Sequence, residues 1–221
     1  MYMQQQTSEI CLVDELRDTD ATSVCRIMAL LLSRPDAEWI EALNSGGIYE
    51  MLSVYFPEGG VDLAVFRDAD YNLQEMLELY NRCFEDNMGS PLYLVESVYK
   101  RWSDDPECPT WITGASGYLM GEPALHMLEL YRHFGLECGS EFNGRPDHLV
   151  LELDFLAFLY ENYTEEAALQ FIGEHLNWMD ELLRSGREVG LSVFYYSVIG
   201  LVKAFLDRKM LQYKTLQMEL R

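Results

Sequence analysis

The stretch Pro146-Asp147-His148-Leu149-Val150-Leu151-Glu152-Leu153-Asp154-Phe155-Leu156-Ala157-Phe158-Leu159-Tyr160 decides the fold. From Leu149 to Tyr160 it is apolar almost all round, and a helix without a polar face must be wrapped by other elements. Its opening fits a helix start, since proline suits the first turn and a carboxylate suits the positive end of the helix dipole. A central buried helix is therefore predicted, and the rest of the chain must supply its wrapping.

The apolar period elsewhere is helical. Val24, Ile27, Met28 and Leu31 mark a first helix ending near Ser33-Arg34-Pro35. Trp39, Ile40 and Leu43 mark a second, stopped by Gly46-Gly47; Ile48, Met51, Leu52 and Tyr55 mark a third, stopped by Pro57 and Gly59-Gly60. Leu73, Met76, Leu77, Tyr80 and Phe84 form another stripe. Helices resume at Glu122-Pro123, with Ala124, Met127, Leu128, Tyr131 and Phe134 inward, His126, Glu129 and His133 on the other face, and Gly135 as the stop. Thr164 with Glu165-Glu166 opens a further one carrying Ala168, Phe171, Ile172, Met179 and Leu182, and a last helix runs from about Glu188 toward Met218.

Between these blocks, Asn87 to Gly121 breaks the pattern. Pro91, Pro106, Pro109, Gly89, Gly114, Gly117 and Gly121 punctuate it, among Tyr93, Tyr99, Trp102, Trp111 and Tyr118. The expectation is an all-α helical bundle of two lobes: residues 1–87, an aromatic linker 88–121, and a C-terminal bundle 122–221. The linker aromatics either plug the gap between lobes or line a groove for an apolar peptide segment. No 20–50-residue repeat or low-complexity tract is visible.

Composition narrows the function. With 37 acidic against 16 basic residues the formal charge is −21, which disfavours nucleic acid and anionic membranes and favours a cationic partner. Hydrophobic residues at 49% exclude a disordered acidic chain. Five cysteines, Cys11, Cys25, Cys83, Cys108 and Cys138, are scattered without a C-x-x-C pair, so neither a disulfide framework nor a zinc site is expected. Met1 to Gln6 lacks a basic start and no apolar run precedes Asp14-Glu15, so no secretory signal is expected. The longest uncharged apolar stretch, Val189 to Val202, has 14 residues against the roughly 20 of a membrane span. A cytoplasmic protein without stable membrane insertion is expected.

Enzyme motifs are missing: no phosphate-cradling G-x-x-x-x-G-K-[ST], no G-x-G-x-x-G after a strand, no H-E-x-x-H, no G-x-S-x-G. No cofactor is expected from these patterns. Among four histidines, His126 and His133 read as a solvated pair and His175 as a hydrogen-bonded core residue. Asp147-His148 has two readings. In one, Asp147 caps or charges the helix while His148 bonds to Glu152. In the other, Asp147 is an acidic contact for a cationic ligand with His148 beside it. A metal-dependent helical enzyme using His148, Glu152 and His175, and a generic acidic adaptor, stand as alternatives.

Four pieces in order resemble one family: Ser90-Pro91-Leu92-Tyr93-Leu94-Val95-Glu96-Ser97-Val98-Tyr99, then Tyr118-Leu119-Met120-Gly121-Glu122-Pro123, then Leu130-Tyr131-Arg132-His133-Phe134-Gly135-Leu136, then Pro146-Asp147-His148-Leu149 with Glu152-Leu153-Asp154-Phe155. They resemble the TorD/DmsD/NarJ family of redox-enzyme maturation chaperones. The resemblance implies a non-catalytic chaperone without a cofactor of its own. Its partners would be the twin-arginine signal peptide, or N-terminal tail, and the catalytic subunit of a molybdopterin oxidoreductase, held until the molybdenum cofactor is inserted. Carried over by motif, the peptide-binding residues are Pro146, Asp147 and His148, with Tyr93, Glu96, Tyr99, Gly121, Glu122, Pro123 and Glu152. The linker makes a domain-swapped homodimer reasonable. One departure stands out. The family usually places an acidic residue before Asp-His, whereas here Arg145-Pro146 precedes Asp147 and the nearest upstream carboxylate is Glu141.

Overall fold

The computed structural model describes residues 3–5, 19–56, 61–67, 70–85, 89–103, 105, 107 and 114–219. Cys11, Cys108 and Trp111, and the breaks expected at Pro57, Gly59-Gly60, Pro106 and Pro109, lie outside the described residues. Among the described residues the architecture is all-α, built from ten α-helices. In chain order they are α1 Thr19–Leu32, α2 Ala37–Asn44, α3 Gly47–Tyr55, α4 Leu73–Tyr80, α5 Glu96–Tyr99, α6 Glu122–Phe134, α7 Leu149–Asn162, α8 Glu165–His175, α9 Met179–Glu188 and α10 Val193–Glu219. A π-helical turn, Asn81–Glu85, extends α4.

One addition was not legible in the periodicity. Strand β1, Met3–Gln5, pairs antiparallel with β2, Leu136–Cys138, with Met3 opposite Cys138 and Gln5 opposite Leu136. Three residues on each strand are too few to show alternation.

The central helix is α7. Leu149 to Ala157, Leu159 and Tyr160 are all buried, including Glu152 and Asp154. Its most extensive partner is α1, and α8 packs on another side. Four rings from α6, α7 and α8 converge on Phe155, namely Tyr131, Phe134, Phe158 and Phe171, at centroid distances of 4.9–5.9 Å. The buried side chains form one cluster running from Ala21 in α1 to Leu206 in α10.

Helix ends follow local chemistry. Asp36 caps α2 by accepting from Trp39 N at 2.8 Å, and Asn72 caps α4 by accepting from Gln74 N at 2.9 Å. Thr164 caps α8 through Ala167 N at 3.3 Å. Gly135 ends α6 at φ +65, a left-handed conformation that costs a residue without Cβ little. The stretch expected to run from Thr164 through Leu182 is broken at Leu176 to Trp178, giving α8 and α9 as separate helices.

Candidate functional site

The site is built where one extended segment crosses the start of α7. Leu92 N donates to Cys83 O at 2.8 Å, which ties this segment to the π-turn. Leu149 N then donates to Leu94 O at 2.8 Å and Glu96 N to Asp147 O at 3.0 Å, an antiparallel bridge centred on Val95 and His148. Pro146 has no N–H to give, and its carbonyl accepts from the buried Tyr131 hydroxyl at 2.7 Å.

The two residues of the Asp-His pair do different work from the capping reading. Asp147 is fully buried, and its Oδ2 accepts from Ser97 N at 2.7 Å and from the Ser97 hydroxyl. It thus caps α5, a turn fifty residues away in sequence, rather than its own helix. His148 is the N-cap of α7, accepting from Val150 N on Nδ1 at 3.3 Å; its contact with Glu152 is the helical bond from Glu152 N to the His148 carbonyl at 3.0 Å, not a bond between side chains. Burial, with the Arg145 guanidinium adding to it, lowers the His148 imidazole to about 3, so the ring is neutral. Burial raises the Asp147 carboxyl, against the opposing pull of the Ser97 hydrogen bonds.

On the far side of the crossing lies a polar chain. Glu96 is fully buried, and its Oε2 meets His175 Nδ1 at 2.9 Å while its Oε1 faces Lys100 Nζ at 2.5 Å. His175, also buried, meets His126 Nδ1 through Nε2 at 2.8 Å. Burial alone would raise Glu96, but the hydrogen bond and charge of His175, together with Lys100, hold its carboxyl below the usual range. Burial and then the negative charge of Glu96 push the Glu152 carboxyl well up. Neither Glu152 carboxyl oxygen has a hydrogen-bond partner among the described residues, so burial beside the Glu96 charge favours its protonated form.

Two clefts flank the crossing. One, of ≈ 460 Å³, is lined by Tyr80, Phe84, Tyr93, Phe142 and His148, with Arg34, Asp36, Glu85, Glu141 and Arg145 as its charged groups. The other, of ≈ 810 Å³, is polar, and Glu96, Lys100, Glu122, His126, Glu174 and His175 line it.

The motif residues are therefore gathered unevenly. Pro146, Asp147, His148, Glu96 and Glu152 meet at the crossing itself. Tyr93, half exposed, faces the aromatic cleft, while Glu122 and Pro123 face the polar one. Tyr99 lies between, its hydroxyl donating to Tyr93 O at 2.8 Å and its ring stacked on Trp178 at 5.0 Å. Gly121 is buried where an added Cβ would come 3.0 Å from Trp102 O, and Glu122 N donates to that same oxygen at 2.8 Å. Arg145 is tied back to Glu141 O at 2.9 Å.

Sequence reading missed Ser97, Lys100 and the pairing of His126 with His175. Only Lys100 carried a usable signal, four residues after Glu96. His126 does not form a solvated pair with His133, as the helical period suggests, but reaches across to His175. Of the residues named for a metal enzyme, Glu152 and His175 share a cluster with Glu96, whereas His148 lines the opposite cleft.

Comparison with known proteins gives a consistent picture. Residues 51–184 match the family described as nitrate reductase delta subunit. Three curated proteins named chaperone protein TorD are similar over 104 residues each. Those of Photobacterium profundum and Vibrio parahaemolyticus are 31% and 32% identical, over 42% of this chain and 48% of theirs. That of Aliivibrio fischeri is 34% identical, over 41% of this chain and 48% of its own. The chain thus spans about half the length of the curated relatives it matches. Among solved structures, a candidate redox enzyme maturation protein from Archaeoglobus fulgidus superposes with a TM-score of 0.55 at 17% identity, covering 88% of this chain and 96% of that one, a likeness of fold. No helix among the described residues is long and apolar enough to cross a membrane.

Proposed function

Because the chain belongs to the nitrate reductase delta subunit family, of TorD- and NarJ-type redox-enzyme maturation chaperones, we propose that it is a cytoplasmic chaperone for a molybdenum-containing oxidoreductase. It binds the twin-arginine signal peptide, or a related N-terminal tail, of the catalytic subunit and holds it until the cofactor is inserted. The observation that carries this reading is the aromatic cleft beside the crossing, with carboxylates on its rim.

Such a cleft suits a peptide of two chemistries. Tyr80, Phe84, Tyr93 and Phe142 offer ring surface to an apolar segment, which gains on the order of 25 cal/mol per Å² buried. Glu85 and Glu141 offer carboxylates to guanidinium groups, which bind them bidentately. Glu85 is paired at 2.8 Å with Arg34 across an exposed contact, so an incoming arginine competes with an internal one. Asp147 supports the site from beneath by fixing the turn that carries Glu96 and Ser97. In this reading residues 88–121 join the lobe 1–87 to the bundle 122–221 and carry the site between them, and a hinge there would permit a domain-swapped homodimer.

Titration of the protein with a twin-arginine leader peptide tests the proposal. Replacing the two peptide arginines by glutamine is expected to weaken binding at least about 10-fold, because charged hydrogen bonds each contribute roughly 1.5–3 kcal/mol. Added salt weakens the arginine part and leaves the apolar part. Equal affinity for a scrambled basic peptide would instead favour a generic acidic adaptor. Unchanged affinity in Tyr93→Ala and in the double variant Glu85→Gln, Glu141→Gln would overturn the placement.

A further inference from the structure

The polar cleft holds a second constellation that the chaperone reading does not use. His126 on α6 and Glu174 and His175 at the end of α8 have ligand atoms all within 4.8 Å of one another. From this juxtaposition we infer that His126 Nδ1, His175 Nε2 and the Glu174 carboxylate bind a divalent transition-metal ion, zinc being the best match, at the mouth of the polar cleft.

The donor set and its support fit such an ion. Two imidazoles and one carboxylate form a common three-ligand zinc set, with a remaining position for water. Tetrahedral zinc with Zn–N of about 2.0–2.1 Å holds its two nitrogens about 3.3 Å apart. Here Nδ1 of His126 and Nε2 of His175 are 2.8 Å apart, so the pair opens by about half an ångström to admit an ion. His126 is exposed and can make that movement while His175 stays fixed.

The supporting shell is what separates this cluster from a chance grouping of surface side chains. His175 is 2% exposed, and its Nδ1 faces the fully buried Glu96 carboxylate at 2.9 Å. A histidine whose second nitrogen donates to a carboxylate is held in one tautomer with its other lone pair outward, the arrangement that zinc-bound histidines use. Glu96 is in turn held by Lys100, on the oxygen away from His175, and Lys100 also donates to Glu174 O at 2.5 Å. The Glu174 side chain accepts from Gln170 Nε2 at 2.9 Å, which keeps it on this side of α8. Without an ion, one proton lies between His126 Nδ1 and His175 Nε2, and metal binding displaces it from both nitrogens, to His126 Nε2 or to solvent.

The test is a zinc titration of the chelator-treated full chain by calorimetry, with cobalt as a spectroscopic probe of geometry. The expected result is one zinc per chain and a visible cobalt band of tetrahedral intensity. His126→Gln and Glu174→Gln change exposed side chains and leave the core intact; each is expected to weaken zinc binding at least about 10-fold. Glu96→Gln is expected to weaken it by about 10- to 100-fold and to shift the cobalt spectrum, as befits a positioning residue. Absence of stoichiometric binding in the unaltered protein overturns the site, and so does unchanged affinity in both His126→Gln and Glu174→Gln. Leader-peptide binding measured on the same variants reports separately on the aromatic cleft.

Discussion

The two clefts share one wall and differ in everything else. Leu92 to Val95 run extended along the aromatic side; at Glu96 the chain turns into α5 and presents Glu96, Lys100 and Arg101 to the polar side. On the first side the buried titratable group is a neutral His148, and the charges sit at the rim. On the second, charge is taken inside: His175 and Lys100 hold the Glu96 carboxyl below its usual range, while burial and the Glu96 charge push Glu152 up. The lesson is that one crossing of the chain can separate an aromatic cleft from a polar chain simply by changing from extended to helical at one residue.

The comparison breaks most completely if the core that supports both clefts is weakened. Phe155→Ala deletes the ring on which Tyr131, Phe134, Phe158 and Phe171 converge, and should cost about 3–5 kcal/mol. Chemical denaturation measures the loss, and both clefts should fail together. A loss near zero would mean that α7 is not the common support.

Removing the clamp between the clefts comes next. Asp147→Ala leaves Ser97 N and its hydroxyl without their acceptor, at a cost of about 1–3 kcal/mol, and loosens α5. Hydrogen exchange at the amides of Glu96 to Tyr99 should quicken selectively. If protection there is unchanged, Asp147 does not hold the turn.

A pH series separates the two sides. For His148 the folded state binds its proton only near pH 3, while the unfolded chain binds one near 6.5. The unfolded state therefore holds more protons in that window, and stability falls as pH drops through it, by at most about 1.4 kcal/mol per pH unit. Glu152 acts oppositely: its folded pKa is raised, so its contribution is present below the ordinary carboxyl range and is lost as pH rises through its folded pKa. Asparagine is a good N-cap, so His148→Asn should fold and should flatten the first slope while leaving the second. An unaltered slope in the variant would assign the pH dependence elsewhere.

The smallest effect belongs to the rim. Arg34 and Glu85 are about half exposed, and Arg34→Ala should cost no more than about 1 kcal/mol of stability. Leader binding should strengthen or hold, since an internal competitor for Glu85 is gone. A marked weakening would show that Arg34 itself contacts the ligand.

Much of this was legible in residue order. The almost wholly apolar run from Leu149 to Tyr160 pointed to a buried central helix, and the stops at Gly46 and Gly135 and the start at Thr164 lie at observed helix boundaries because caps are local chemistry. The crossing was not legible as a crossing. Asp147 looked like a cap for the helix it precedes, and that helix takes His148 instead while Asp147 caps a turn from another segment. His126 and His175 are 49 positions apart on helices whose periods give no hint of their meeting. The π-turn at Asn81–Glu85, which anchors Leu92, likewise has no periodic signature distinct from an α-helix over five residues.

The sequence by itself determined the class of the molecule, the identity of its central helix and the set of motif residues, because apolar period, capping chemistry and charge are properties of neighbours in the chain. Only the tertiary structure decided which of those residues face which cleft, which carboxyl keeps its proton and which histidines meet. Those outcomes depend on burial and on distances between residues far apart in sequence, and a carboxylate acquires its charge state from the groups that surround it rather than from the residues beside it in the chain.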